Sequence, residues 1–187
     1  LIAGWNTLDR LLDYLINFLR DRAYVYTTDD LSTTNVLIPM LGFLAQHRTA
    51  FQEERARARL LYWMYAALYQ RRYSGSVDQK LERDLNALEE DHPINALIAV
   101  LQEDEGSHEV APSHLDRRGV SHPLYNMTQI IIRANGGVDW SNGLKLNEPF
   151  GDSFSLQRHH IFPKAALKEV GYDTGDNLND RQRVHEI

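Results

Sequence analysis

The 187-residue chain contains no cysteine. Disulfides and cysteine-ligated zinc are therefore excluded, and any metal must be held by His, Asp, Glu, Asn or water. Long apolar runs are also missing. The longest, such as Ala96-Leu97-Ile98-Ala99-Val100-Leu101, fall far short of the about 20 residues that cross a bilayer. The opening Leu1-Ile2-Ala3-Gly4-Trp5 lacks the basic flank, apolar middle and small-residue cleavage site of a signal peptide. These absences predict a cytoplasmic protein with no membrane partner. Basic excess is wanting too: 20 Lys and Arg stand against 26 Asp and Glu, a formal net charge of −6. That balance argues against a general nucleic-acid binder, but not against an enzyme that grips a few phosphates locally. No Met opens the sequence and no breaker closes it, so both ends are expected to continue into a longer protein.

What remains is an ordinary globular balance, 43% hydrophobic and 25% charged, in a chain long enough to bury its own core. Most of it reads as helix. Leu8, Leu11, Leu12, Leu15 and Leu19 recur at three- and four-residue steps, the spacing of one helical face. Thr33 or Thr34 can cap a second helix through Val36, Met40, Phe43 and Leu44, with Pro39 near its first turn. A long third helix is expected from about Thr49 to Tyr73, ended by Ser74-Gly75. Ser76-Val77-Asp78-Gln79 resembles a capping box ahead of Leu81, Leu85 and Leu88. His92-Pro93 starts a helix with Ile94, Leu97, Ile98 and Leu101 as its stripe. From Gln102 to Ser121 the pattern dissolves, and Glu103-Asp104-Glu105-Gly106-Ser107 reads as a flexible surface connection. A last strong helix runs from His122-Pro123 through Leu124, Met127, Ile130 and Ile131 to Asn135-Gly136-Gly137. Turn formers then lead to an alternating segment, Phe154 to Ile161, followed by a short helix, Lys164 to Glu169, closed by Gly171.

One constellation carries chemistry: His159-His160-Ile161-Phe162-Pro163. Hydrolysis of a phosphodiester needs a Lewis acid at the phosphate and a base to take a proton from water. Imidazole can do either, because its neutral nitrogen binds a divalent ion and its ordinary pKa suits a base at neutral pH. Neighbouring side chains on a regular strand point to opposite faces, so both rings serve one site only if the strand ends or bulges there. Pro163, with no N–H to donate, favours such an end.

The run Arg158-His159-His160-Ile161-Phe162-Pro163-Lys164 resembles the first motif of HNH, or ββα-metal, endonucleases. More narrowly, it is similar to the HNH module of GmrSD-type bacterial restriction enzymes, with Lys164, Ala165, Leu167 and Gly171-Tyr172-Asp173 following in that family's order. The resemblance implies that His159 is a metal ligand, that His160 is the catalytic general base, and that a divalent ion, Mg²⁺ or similar, serves a cut in modified or foreign DNA. It further implies a mainly α fold. Residues 1–137 would be a helical connector domain, and residues 138–187 the first part of a ββα-metal module. A nucleotide-hydrolysing domain is expected elsewhere in the parent chain. The family's remaining Asn and Asn/His residues are expected beyond Ile187, which would leave this piece without a complete active site. A variant reading uses Asn177 or Asn179 with His185 instead. An alternative of another class is a non-catalytic helical scaffold or recognition module contacting DNA or a partner subunit.

The remaining candidates carry blander expectations. His92 and His122 precede Pro at helix starts and read as capping residues. His108 and His114 read as solvated loop residues, and His47 and His185 as surface residues near helix ends. Arg55, Arg57 and Arg59, with Arg71 and Arg72, could meet a phosphate backbone, but Glu53 and Glu54 alongside favour a solvated face. Tyr62, Trp63, Tyr65, Tyr69 and Tyr73 read as core and near-surface packing rather than a base-stacking platform.

Overall fold

In the computed structural model, residues 2–106, 109–115, 122–140, 142–147 and 164–171 are described. Among these the chain is mainly helical, with α1 Ile2–Ala23, α2 Leu37–Gln46, α3 Glu54–Tyr69, α4 Val77–Ala87, α5 Pro93–Glu105, α6 Pro123–Ala134 and α7 Lys164–Glu169. Among the described residues one isolated antiparallel bridge, Val138 to Lys145, stands outside any named strand. The chain divides into two compact units, Leu1–Glu148 and Pro149–Ile187. The strand expected over 154–161, and with it the ββα start, lies outside the described residues.

The first unit is built around α3, whose Leu60, Trp63, Met64 and Ala67 are fully buried. Against it pack Val36, Met40 and Phe43 from the α2 region and Leu97 and Leu101 of α5, all without exposure. Leu15 and Leu19 bury the C-terminal half of α1. The same stripe emerges toward the helix start, where Leu8 is 44% and Trp5 71% exposed. Phe51 sits between rings, edge-on to Phe18 at 4.9 Å and to Tyr14 at 5.7 Å. Helices α2 and α4 approach closely because Gly42 has no side chain. A Cβ there would meet Leu88 Cδ1 at 2.8 Å.

Several boundaries are sharper than periodicity could set them. Thr33 does cap, its hydroxyl accepting from Asn35 N–H at 3.2 Å, but it caps a 3-10 turn, Thr34–Val36, that leads into α2. The expected helix from Thr49 to Tyr73 is broken at both ends. Glu53 is extended, and Arg71 adopts a left-handed conformation (φ 53°, ψ 40°) ahead of a 3-10 turn, Arg72–Ser74. Ser76 precedes α4 but is itself left-handed, and its side chain forms no cap, so the expected capping box is not made. Pro93 occupies the first turn of α5 and Ile94, Leu97, Ile98 and Leu101 are buried as expected. His122 caps α6 through Nδ1, which accepts from Leu124 N–H at 3.2 Å. Gly136 (φ 72°) turns the chain out of that helix, and Gly137 N–H returns to Ile132 O at 2.9 Å.

The largest departure concerns Glu103, Asp104 and Glu105. They are the last turn of α5 rather than a flexible connection. Acids at a helix C-terminus oppose the macrodipole, and this segment alone has no reason to be helical. The reason lies in the cations it meets.

In the second unit α7 follows Pro163 directly, and Gly171 (φ 93°) closes it, as the sequence predicts. Leu167 is its buried side chain.

Candidate functional site

The two residues expected to do chemistry, His159 and His160, fall outside the described residues. So do Asn177, Asn179 and His185 of the variant reading, and His108. Among the described residues no group of three or more His, Asp or Glu side chains is arranged to hold a metal ion. The described residues do contain two buried charged clusters and one polar cleft, none of them anticipated from motif spacing.

The first cluster is centred on Arg72, which is fully buried with Asp84. The guanidinium is held in a fork by Asp84: Nε to Oδ2 and Nη2 to Oδ1, both at 2.8 Å. Its Nη1 reaches Asp104 Oδ2 at 3.0 Å. Tyr73 OH donates to Asp84 Oδ2 at 2.5 Å. Outward, Arg83 bonds both Asp104 and Glu103, and Lys80 Nζ reaches Glu105 at 2.6 Å. Burial by itself would lower the Arg72 pKa, but the hydrogen bonds and charge of Asp84, with Asp104, outweigh it and leave it raised. The cluster therefore ties the turn after α3 to α4 and to the end of α5, and it commits these acids to cations of the chain itself.

The second cluster fixes the turn after α1. Asp30 is 7% exposed and accepts from Tyr26 and Thr27 N–H at 2.9 and 3.1 Å. Its other oxygen takes Arg133 Nη1 at 2.8 Å, and the same nitrogen donates to Tyr24 O at 3.1 Å. The Arg133 guanidinium lies 5.4 Å from the Tyr26 ring centroid. Tyr26 OH in turn donates to Asn147 O at 2.6 Å. Both clusters are saturated internally, which marks them as structural.

Two histidines prove less bland than expected. His47 Nε2 bonds Leu88 O at 2.9 Å and its ring stacks on Phe43. His114 Nδ1 meets Tyr69 OH at 3.0 Å, fastening the 109–115 segment to α3. In the arginine-rich stretch, Arg57 pairs with Glu54 at 2.6 Å, whereas Arg72 is not part of a solvated face at all. The aromatic cluster behaves as packing: Trp63 and Tyr73 are buried, and Tyr65 OH donates to Ala23 O at 2.8 Å.

Tyrosine burial sets an alkaline limit on stability. Burial first, and then the Asp84 charge, pushes the Tyr73 hydroxyl far above its ordinary range. Burial, followed by Asp30, pushes Tyr65 up to about 12. A folded pKa above the unfolded value of about 10 means that the stability is full below about pH 10 and is lost as pH rises through the folded value. Tyr65→Phe is therefore expected to show a shallower fall in urea midpoint from about pH 10 to 12 than the unaltered chain. Parallel curves would refute it.

A cleft of about 370 Å³ opens between the turn after α3 and the start of α6, lined by Ser32, Thr33, Arg71, Tyr73, Ser74 and Pro123. Sequence reading grouped Arg71 with the helical arginines. Its isolation becomes visible only when Arg72 turns inward and Arg71 does not.

In comparison with known proteins, no family model, curated protein or solved structure matches the chain.

Proposed function

We propose that the chain is part of a metal-dependent DNA endonuclease of HNH type, acting in the cytoplasm on modified or foreign DNA. His159 would ligate one divalent ion, Mg²⁺ or similar, and His160 would take the proton from the attacking water. The observation that carries this reading is the run His159-His160-Ile161-Phe162-Pro163 followed at once by a helix, Lys164–Glu169, and a glycine turn. Adjacent imidazoles would supply the Lewis-acid anchor and the base that a phosphodiester requires, and Pro163, three residues after His160, has no N–H to donate to a strand partner. The helical unit we read as a scaffold, since its buried charges satisfy one another.

The test is metal binding and cleavage in the intact protein that carries this chain. Chelation should stop cleavage of a plasmid substrate, and added Mg²⁺ should restore it. His159→Ala should weaken metal affinity by at least the about 10–100-fold lost when an outer partner of a ligand is removed. An unchanged calorimetric titration would refute the ligand assignment. The scaffold alternative predicts DNA or partner binding with no cleavage at any metal concentration.

A further inference from the structure

We propose that the cleft at Arg71 binds a phosphate group. Arg71 follows the C-cap of α3, and its N–H returns to Leu68 O at 3.2 Å in a left-handed conformation with φ 53°. That is a position glycine fills at no steric cost, and a long side chain there is disfavoured. The chain nevertheless carries a guanidinium at this point, exposed, and without a hydrogen-bond or ion-pair partner among the described residues. Backbone strain retained where a residue lines a cleft points to a use for the side chain.

The rest of the lining has the polarity of an anion site. Thr33 uses an oxygen lone pair for Asn35 N–H, which leaves its O–H to donate. The Ser74 hydroxyl lines the same cleft with no partner among the described residues, and Ser32 is oriented by its bond to Leu68 O at 3.3 Å. No carboxylate lines the cleft among the described residues. The adjacent Arg72 does not compete for a ligand, because its charge is already met by Asp84 and Asp104. One uncommitted guanidinium with two hydroxyl donors, on a wall closed by Tyr73 and Pro123, matches the donors a tetrahedral oxyanion takes. The phosphate can belong to a DNA backbone or to a free phosphate or nucleotide. The chemistry is the same.

The proposal stands independently of the histidine pair. It is tested with Arg71→Gly, which removes the guanidinium and suits the left-handed backbone, so the melting temperature should hold or rise. Inorganic phosphate, titrated at low salt and followed by amide NMR shifts at Ser32, Thr33 and Ser74, should saturate in the unaltered chain and cause no shift in the variant. Arg71→Lys should retain part of the binding. A short duplex DNA, followed by anisotropy across a salt series, separates the sources. If the ligand is a DNA backbone, Arg71→Gly should weaken binding and reduce the salt slope by about one. If duplex binding is unchanged while phosphate binding is lost, the site serves a free phosphate or nucleotide. Absence of phosphate shifts in the unaltered chain, or equal shifts in Arg71→Gly, would overturn the proposal.

Discussion

Asp84→Ala is expected to lower the unfolding free energy by about 3–5 kcal/mol, the cost of leaving a buried charge without its partner. Set against about 5–15 kcal/mol for a whole domain, this is enough to bring the helical unit near its stability limit. The reasoning follows from geometry. Arg72 and Asp84 are both fully buried, and two of the guanidinium's bonds end on that one carboxylate. Without it, Arg72 keeps Asp104 at 3.0 Å and a distant Glu105 at 3.7 Å, while Tyr73 OH loses its acceptor. Urea midpoints of purified protein measure the effect. The pairs of Glu54 with Arg22 and Arg57 are exposed and screened by solvent and contribute little, so Glu54→Ala is the internal control. A loss of similar size in both variants would show that the buried fork is not what holds these helices together. Joint replacement by apolar residues, Arg72→Met with Asp84→Leu, should recover much of the loss, because the penalty lies in the orphaned charge.

The second large effect belongs to activity. His160→Ala in the intact protein should reduce cleavage by about 10²–10⁴-fold, the usual contribution of a general base, with an unchanged melting temperature. His159→Ala should lose cleavage together with metal affinity, so the two histidines differ in which measurement moves. Undiminished cleavage by His160→Ala would remove the base assignment. Equal loss of metal affinity in both variants would make the pair joint ligands and require a base elsewhere.

The helices were legible where one face alternates cleanly with solvent. Leu15 and Leu19, or Ile94, Leu97, Ile98 and Leu101, are buried as their spacing predicts. The breaks were not legible, because the left-handed turns at Arg71 and Ser76 flank Arg72 and Tyr73, whose partner Asp84 lies on another helix. No local rule places a non-glycine residue there. The acidic end of α5 misled for the same reason: Glu103-Asp104-Glu105 reads as solvent-loving until Arg72, Arg83 and Lys80 are found beside it. The candidate site divides differently. The histidine pair is conspicuous as a string because the chemistry proposed for it rests on two adjacent residues. The Arg71 cleft is invisible as a string because its lining comes from residues 32–33, 71, 73–74 and 123, brought together only by folding.

The inward turn of Arg72 also bears on how the body breathes. A helix C-terminus is ordinarily the first part to fray, since its last carbonyls lack partners. Here the final residues of α5 are fastened through Asp104 and Glu105 to Arg72, Arg83 and Lys80 on two other segments. Opening that end alone would expose a charge the interior cannot tolerate. The turn after α3, α4 and the tail of α5 should therefore open together or not at all, as one cooperative element, and the chain that continues from Gly106 leaves from a fixed point.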